Sequence, residues 1–218
     1  MMNIIYNILA GAAGIFVGYI LKLAVNWLRI DDYEIRGHTY TLEIICGALF
    51  LWSFLHMPIN EAIIFSHIAS ILVAIGIVDY HTMQIPLLFI LGGIVMALAG
   101  ILIGLISWTA VFWGIFIGAF IPGMIMCITW LITKRQGMGY GDIQMGIVLG
   151  AWLGPMRMAL TLFGAAVLSL LTWIFISIRK GFDRDRALPF APFLALAGIG
   201  IYIGSVYYPS FFYILNTQ

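Results

Sequence analysis

The chain has 218 residues, of which 63% are hydrophobic and 9% charged, with a formal net charge of +1 and a mean hydropathy of +1.10. A soluble domain carries about 25% charged residues, so this composition excludes a water-soluble globular protein and points to a polytopic membrane protein. The small net charge gives no reason to expect a nucleic-acid partner.

The first apolar run, 4–28, has no basic segment before it and no small-residue cleavage site followed by a polar mature domain. It therefore reads as a transmembrane helix and not as a signal peptide. Since a span needs about 20 apolar residues, further spans are expected at 41–56, 61–80, 86–106, 108–132, 143–155, 157–178 and 188–208. The whole is a single integral-membrane domain, all-α, of about eight helices. The segment 143–155 is short, and fits a tilted half-span, a re-entrant segment or a helix opening at the GYGD turn.

Orientation follows from Lys and Arg, which favour the cytoplasmic side of short loops. With the N-terminus outside, the inner loops are 29–40, 81–85, 133–142 and 179–187. Lys22, Arg29, Arg36, Lys134, Arg135, Arg179, Lys180, Arg184 and Arg186 then lie in or beside inner loops, and Arg157 alone lies outside. A non-spanning 143–155 would move the basic 179–187 loop outside, so eight spans are favoured.

Asp31, Asp32, Glu34, Asp183 and Asp185 fall among the loop bases and read as solvated, while Glu61 suits a helix start. Glu43, Asp79 and Asp142 remain near hydrocarbon, where an ionisable residue is costly and is a functional candidate. Asp79 ends the third span and Asp142 opens the sixth, which places both at cytoplasmic helix ends in this topology. Two carboxylates on one water suit aspartyl proteolysis: they share a proton, one taking a proton from water and the other donating to the scissile carbonyl. A helix N-terminus favours the charged form, so Asp142 is expected to be the more acidic member. Gly139 and Gly141, in "GMGYGDIQMG", allow a tight turn and leave room for an extended peptide. The alternative is an ordinary helix cap at Asp142 and an interfacial Asp79.

His38, His56, His67 and His81 share no metal-ligand spacing and no HExxH occurs, so no metal is expected. Cys46 and Cys127 form no CxxC and read as buried thiols. Trp27, Trp108, Trp152 and Tyr207 read as interface anchors.

Four segments, in order, resemble the type IV prepilin peptidases, membrane aspartyl proteases of the GxGD kind. "GMGYGDIQMGIVLGAWLG" (137–154) resembles the second catalytic motif, and Asp79 followed by "YHTMQIP" resembles the first. "YTLEIICGALF" (40–50) resembles the opening of the second span, and "LPFAPFLALAG" (188–198) the start of the last helix. The resemblance implies a bacterial inner-membrane endopeptidase with Asp79 and Asp142 catalytic. Its expected substrates are prepilins or pseudopilins, whose basic leader is removed at the cytoplasmic face just before an apolar helix. It implies no cofactor for proteolysis, with S-adenosylmethionine needed only if N-methylation of the new terminus is retained. Glu43 matches the family's glutamate, and is expected to pair with a base, bind the leader or assist a methyl-donor site.

The sequence departs from that pattern in several places. The loop "RIDDYEIRGHTY" stands where many members carry a cysteine-rich zinc module, which puts methylation in doubt. Gln144 replaces a usual lysine, Leu87 follows Pro86 where Asp or Asn is common, and Ala191 replaces a glycine. A preflagellin-type peptidase without methylation is the neighbouring alternative. A proton-coupled transporter is the alternative of another class, although it favours carboxylates near the midplane. A presenilin-type protease would need Tyr before the first aspartate, where Val78 stands, and a Pro-Ala-Leu motif that is absent.

Overall fold

The computed structural model describes residues 2–134, 138–183 and 187–216; Arg135, Arg184, Asp185 and Arg186 lie outside the described residues. Among the described residues the protein is all-helical, as composition required: α1 (Met2–Leu28), α2 (Thr41–His56), α3 (Ile59–Thr82), α4 (Leu87–Leu102), α5 (Trp108–Thr133), α6 (Tyr140–Lys180), α7 (Ala191–Tyr207) and α8 (Pro209–Asn216). Four of these, α1, α3, α5 and α6, are long and apolar enough to cross a membrane, while α2, α4 and α7 are shorter apolar helices. The short α8 follows Tyr208 and belongs to no expected span. Two compact units divide the chain, Met1–Trp108 and Thr109–Gln218.

In the first unit α3 is the core helix, with Phe65, Ile68, Leu72 and Ile75 fully buried. α1 packs on α2 through glycines. A Cβ at Gly14 would lie 2.6 Å from the carbonyl oxygen of Cys46, and one at Gly18 2.6 Å from the Cα of Glu43. Lipid is as apolar as a leucine side chain, so membrane helices associate through such close backbone approach and not through hydrophobic gain. Cys46 is fully buried in this unit.

In the second unit α6 is 41 residues long. At 1.5 Å per residue a straight helix would reach about 60 Å, twice the hydrocarbon thickness. It breaks at Gly154 (φ 72°, ψ 178°), followed by Pro155, between the segments expected as two spans. Gly198 of α7 faces Leu149 and Leu153 before the break and Thr161 after it, so the two arms lie side by side against α7. That backbone conformation is open essentially to glycine alone and costs other residues about 1–3 kcal/mol. Gly154→Ala is accordingly expected to lower the melting temperature of the detergent-solubilised protein, while Gly200→Ala, in open space on α7, leaves it unchanged or higher.

Trp152 does not act as an interface anchor: it is 1% exposed and stacks on Tyr202 with centroids 4.7 Å apart. Arg157, the one base assigned outside, lies over the rings of Tyr202 and Phe212. Cys127 is exposed on α5, contrary to the expectation of a buried thiol. Trp27, Trp108 and Tyr207 are exposed.

Candidate active site

Asp79 sits in the last turn of α3 and is 5% exposed. The helix stops there because Met83 turns left-handed (φ 53°) and donates its N–H to the Asp79 carbonyl at 2.8 Å. Pro86 then sets the start of α4. Around this end Thr82 Oγ1 donates to the Val78 carbonyl, and His81 Nδ1 donates to the Ile77 carbonyl at 2.9 Å. That bond fixes the imidazole against its own helix and leaves the ring exposed.

Over the same helix end lies the 29–40 connection between α1 and α2. Tyr33 stacks on His81, centroids 4.5 Å apart, and Gln84 donates to Asp31 Oδ2 at 2.8 Å. Burial pushes the Tyr33 phenol above its ordinary pKa, so it stays neutral against the imidazole. Arg29 and Glu34 form an exposed ion pair at 3.3 Å, whose contribution is small in water.

Asp142 opens α6 at its third helical position and is 9% exposed. It is not the N-cap, which is Gly139. The side chain reaches back so that Oδ2 accepts the Gly139 N–H at 3.2 Å, the acid half of a capping box whose cap residue has no side chain. A Cβ at Gly139 would stand 3.3 Å from that oxygen. Glycine therefore lets the carboxylate fold onto the backbone. Gly141 is in the first turn of the same helix.

Glu43 is 4% exposed and pairs with Lys22, Nζ to Oε1 2.9 Å. Lys22 is a residue whose role the topology reading missed. It counted there as a loop-flanking base, yet it is 5% exposed and donates also to the carbonyls of Thr39 at 2.7 Å and Gly37 at 3.2 Å. The signal was its position inside the first apolar run, at a depth where a lone ammonium needs a partner.

Together these features define a polytopic all-α membrane protein with two buried aspartates at helix ends, one in each unit. Comparison with known proteins gives the class a name. The model of the type IV leader peptidase family matches residues 66–174, half of the chain and the stretch that holds both aspartates, and the chain belongs to that family. The prepilin leader peptidase/N-methyltransferase of Dichelobacter nodosus is 37% identical over 116 residues, 53% of this chain and 37% of that one. The protein of the same name from Pseudomonas putida is 27% identical over 166 residues, 69% and 53% of the two chains. That from Aeromonas hydrophila is 29% identical over 132 residues, 59% and 44%. The chain thus spans about half or less of the length of these relatives. No solved structure gives a significant match.

Proposed function

We propose that the protein is a membrane aspartic endopeptidase that removes the basic leader from prepilins or pseudopilins at the cytoplasmic face of a bacterial inner membrane. The observation that carries this reading is the pair of aspartates, Asp79 and Asp142. Both are almost wholly buried at helix ends, and both fall within the stretch that matches the family.

In this reading the two carboxylates hold one proton and one water between them. The ionised member, which we assign as Asp142, accepts a proton from water as that oxygen attacks the scissile carbonyl. Asp79 gives its proton to the carbonyl oxygen, forming a neutral tetrahedral diol. On collapse the C–N bond breaks as Asp142 gives the proton it took from water to the departing nitrogen, and a diol hydroxyl returns its proton to Asp79, which restores the singly protonated pair. Gly139 and Gly141 leave the backbone open for an extended peptide. The water and the dyad complete the step without a metal.

Three relatives carry "N-methyltransferase" in their names, and transfer of a methyl group from S-adenosylmethionine to the new terminus is the finer possibility. The short 29–40 connection, with no cysteine, favours proteolysis alone, as in a preflagellin-type peptidase. The buried Lys22–Glu43 pair also argues against Glu43 meeting a leader or methyl donor directly.

The test is cleavage by the purified full chain in detergent or nanodiscs of a prepilin bearing a basic leader and an apolar helix. Mass spectrometry is expected to show loss of the leader at one bond. An added methyl group with S-adenosylmethionine present would establish the second activity. An intact substrate would overturn the reading and favour a transporter.

A further inference from the structure

We infer that Lys22, held by Glu43, is a positioning residue that pins the 29–40 connection against the end of α3 bearing Asp79. An ammonium has three protons to donate, and each meets an acceptor here: Glu43 Oε1, the Thr39 carbonyl and the Gly37 carbonyl. Glu43 makes poor use of its own capacity, since Oε2 is buried with no hydrogen-bond partner. A buried ion pair of this kind adds little stability over apolar residues of the same size. What it fixes is geometry, because two carbonyls of the connection are set on a helix packed closely against α2.

From those carbonyls the attachment continues back along the connection at every second residue. Asn26 of α1 clamps Ile35 twice, accepting its N–H at 2.8 Å and donating to its carbonyl at 3.1 Å. Tyr33 stacks on His81, and Asp31 accepts from Gln84. Residues 39, 37, 35, 33 and 31 thus tie α1 to the segment that follows Asp79. His81 lies two residues beyond that aspartate. Pulling out the Lys22 pin frees the end of the connection nearest α2, and the stack at His81 loses its backing.

The consequence for catalysis rests on the peptidase reading, but the pin itself is measured without it. The full chain in detergent is compared with the Lys22→Met/Glu43→Met double variant, which replaces the ion pair with two apolar chains of similar length. Its melting temperature is expected within a few degrees of the parent. Amide exchange in peptides covering 31–39 and 79–86 is expected to rise about tenfold, with the middle of α3 unchanged. On a prepilin substrate, kcat is expected to fall about tenfold with KM nearly constant, the split of a misplaced catalytic group.

Unchanged exchange in 31–39 would overturn the pin, and a rise confined to 31–39 would overturn the link to α3. Unchanged kcat with raised exchange would overturn the positioning role. If the double variant melts far below the parent, Tyr33→Leu decides: it cuts the far end of the tie and must raise exchange in 79–86. A parent that cuts nothing refutes the peptidase reading and leaves the exchange result to judge the pin.

Discussion

Asp79→Asn and Asp142→Asn are each expected to abolish cleavage, and the double variant to be no worse than either single one. Asn keeps the size and shape of Asp but has no acidic proton to give and no carboxylate to receive one. General acid–base roles are worth about 10²–10⁴ in rate. A shared-proton pair fills both roles as one unit, so loss of one member removes the whole benefit, roughly four orders of magnitude. Folding is expected to survive. In Asp142→Asn the new side-chain amide oxygen can still accept the Gly139 N–H that Asp142 Oδ2 accepts now. At Asp79, the member assigned as protonated and 5% exposed, Asn replaces one neutral hydrogen-bonding group with another of the same shape, so no buried charge is added. Melting temperatures within a few degrees of the parent, with no product by mass spectrometry, are the expected pair of results. Glu61→Gln, in the first turn of α3 and far along the helix from Asp79, is the control that cuts normally. A single variant that cuts near the parent rate sinks the dyad.

The two aspartates were legible because charge is so rare in this chain that each carboxylate near hydrocarbon demands a reason. The all-helical class was legible for the same cause: only helices satisfy the backbone of segments this apolar. Lys22 escaped because the orientation rule counts bases without asking which are paired. Its acceptors, Glu43 and two loop carbonyls, come 15 to 21 residues later, a relation that helical periodicity cannot reveal. Trp152 escaped for a similar reason. An aromatic two residues from a glycine–proline break looks like a membrane-interface residue. The break instead folds the second arm of α6 back, and the indole is enclosed against Tyr202. In both cases the deciding fact is a contact made by the fold.

The glycines of the second unit carry the other large expectation, a steep loss of stability on Gly118→Ala. A Cβ at Gly118 would run into the carbonyl oxygen of Gly146, and one at Gly114 into that of Gly150; the reverse contacts hold as well. Two GxxxG pairs, 114/118 on α5 and 146/150 on α6, thus bring the backbones together with no side chain between them. Neither wall can yield, because the obstacle is main chain and not the tip of a flexible residue. Overpacking of a tight core costs about 1–3 kcal/mol, and the upper end applies where only helix separation relieves it. Gly123→Ala, on the same helix but with nothing near its added carbon, gains helix propensity of about 1 kcal/mol and is expected to melt at or above the parent. Activity is expected to follow stability at Gly118 for a geometric reason. Gly146 lies one turn beyond Asp142, so prising α6 from α5 moves the helix start that holds the carboxylate. Thermal melts of the two alanine variants in one detergent decide the matter: equal melting temperatures would show that the close approach of α5 and α6 carries no stability. A Gly118→Ala protein that melts lower yet keeps its full cleavage rate would separate that approach from the placement of Asp142.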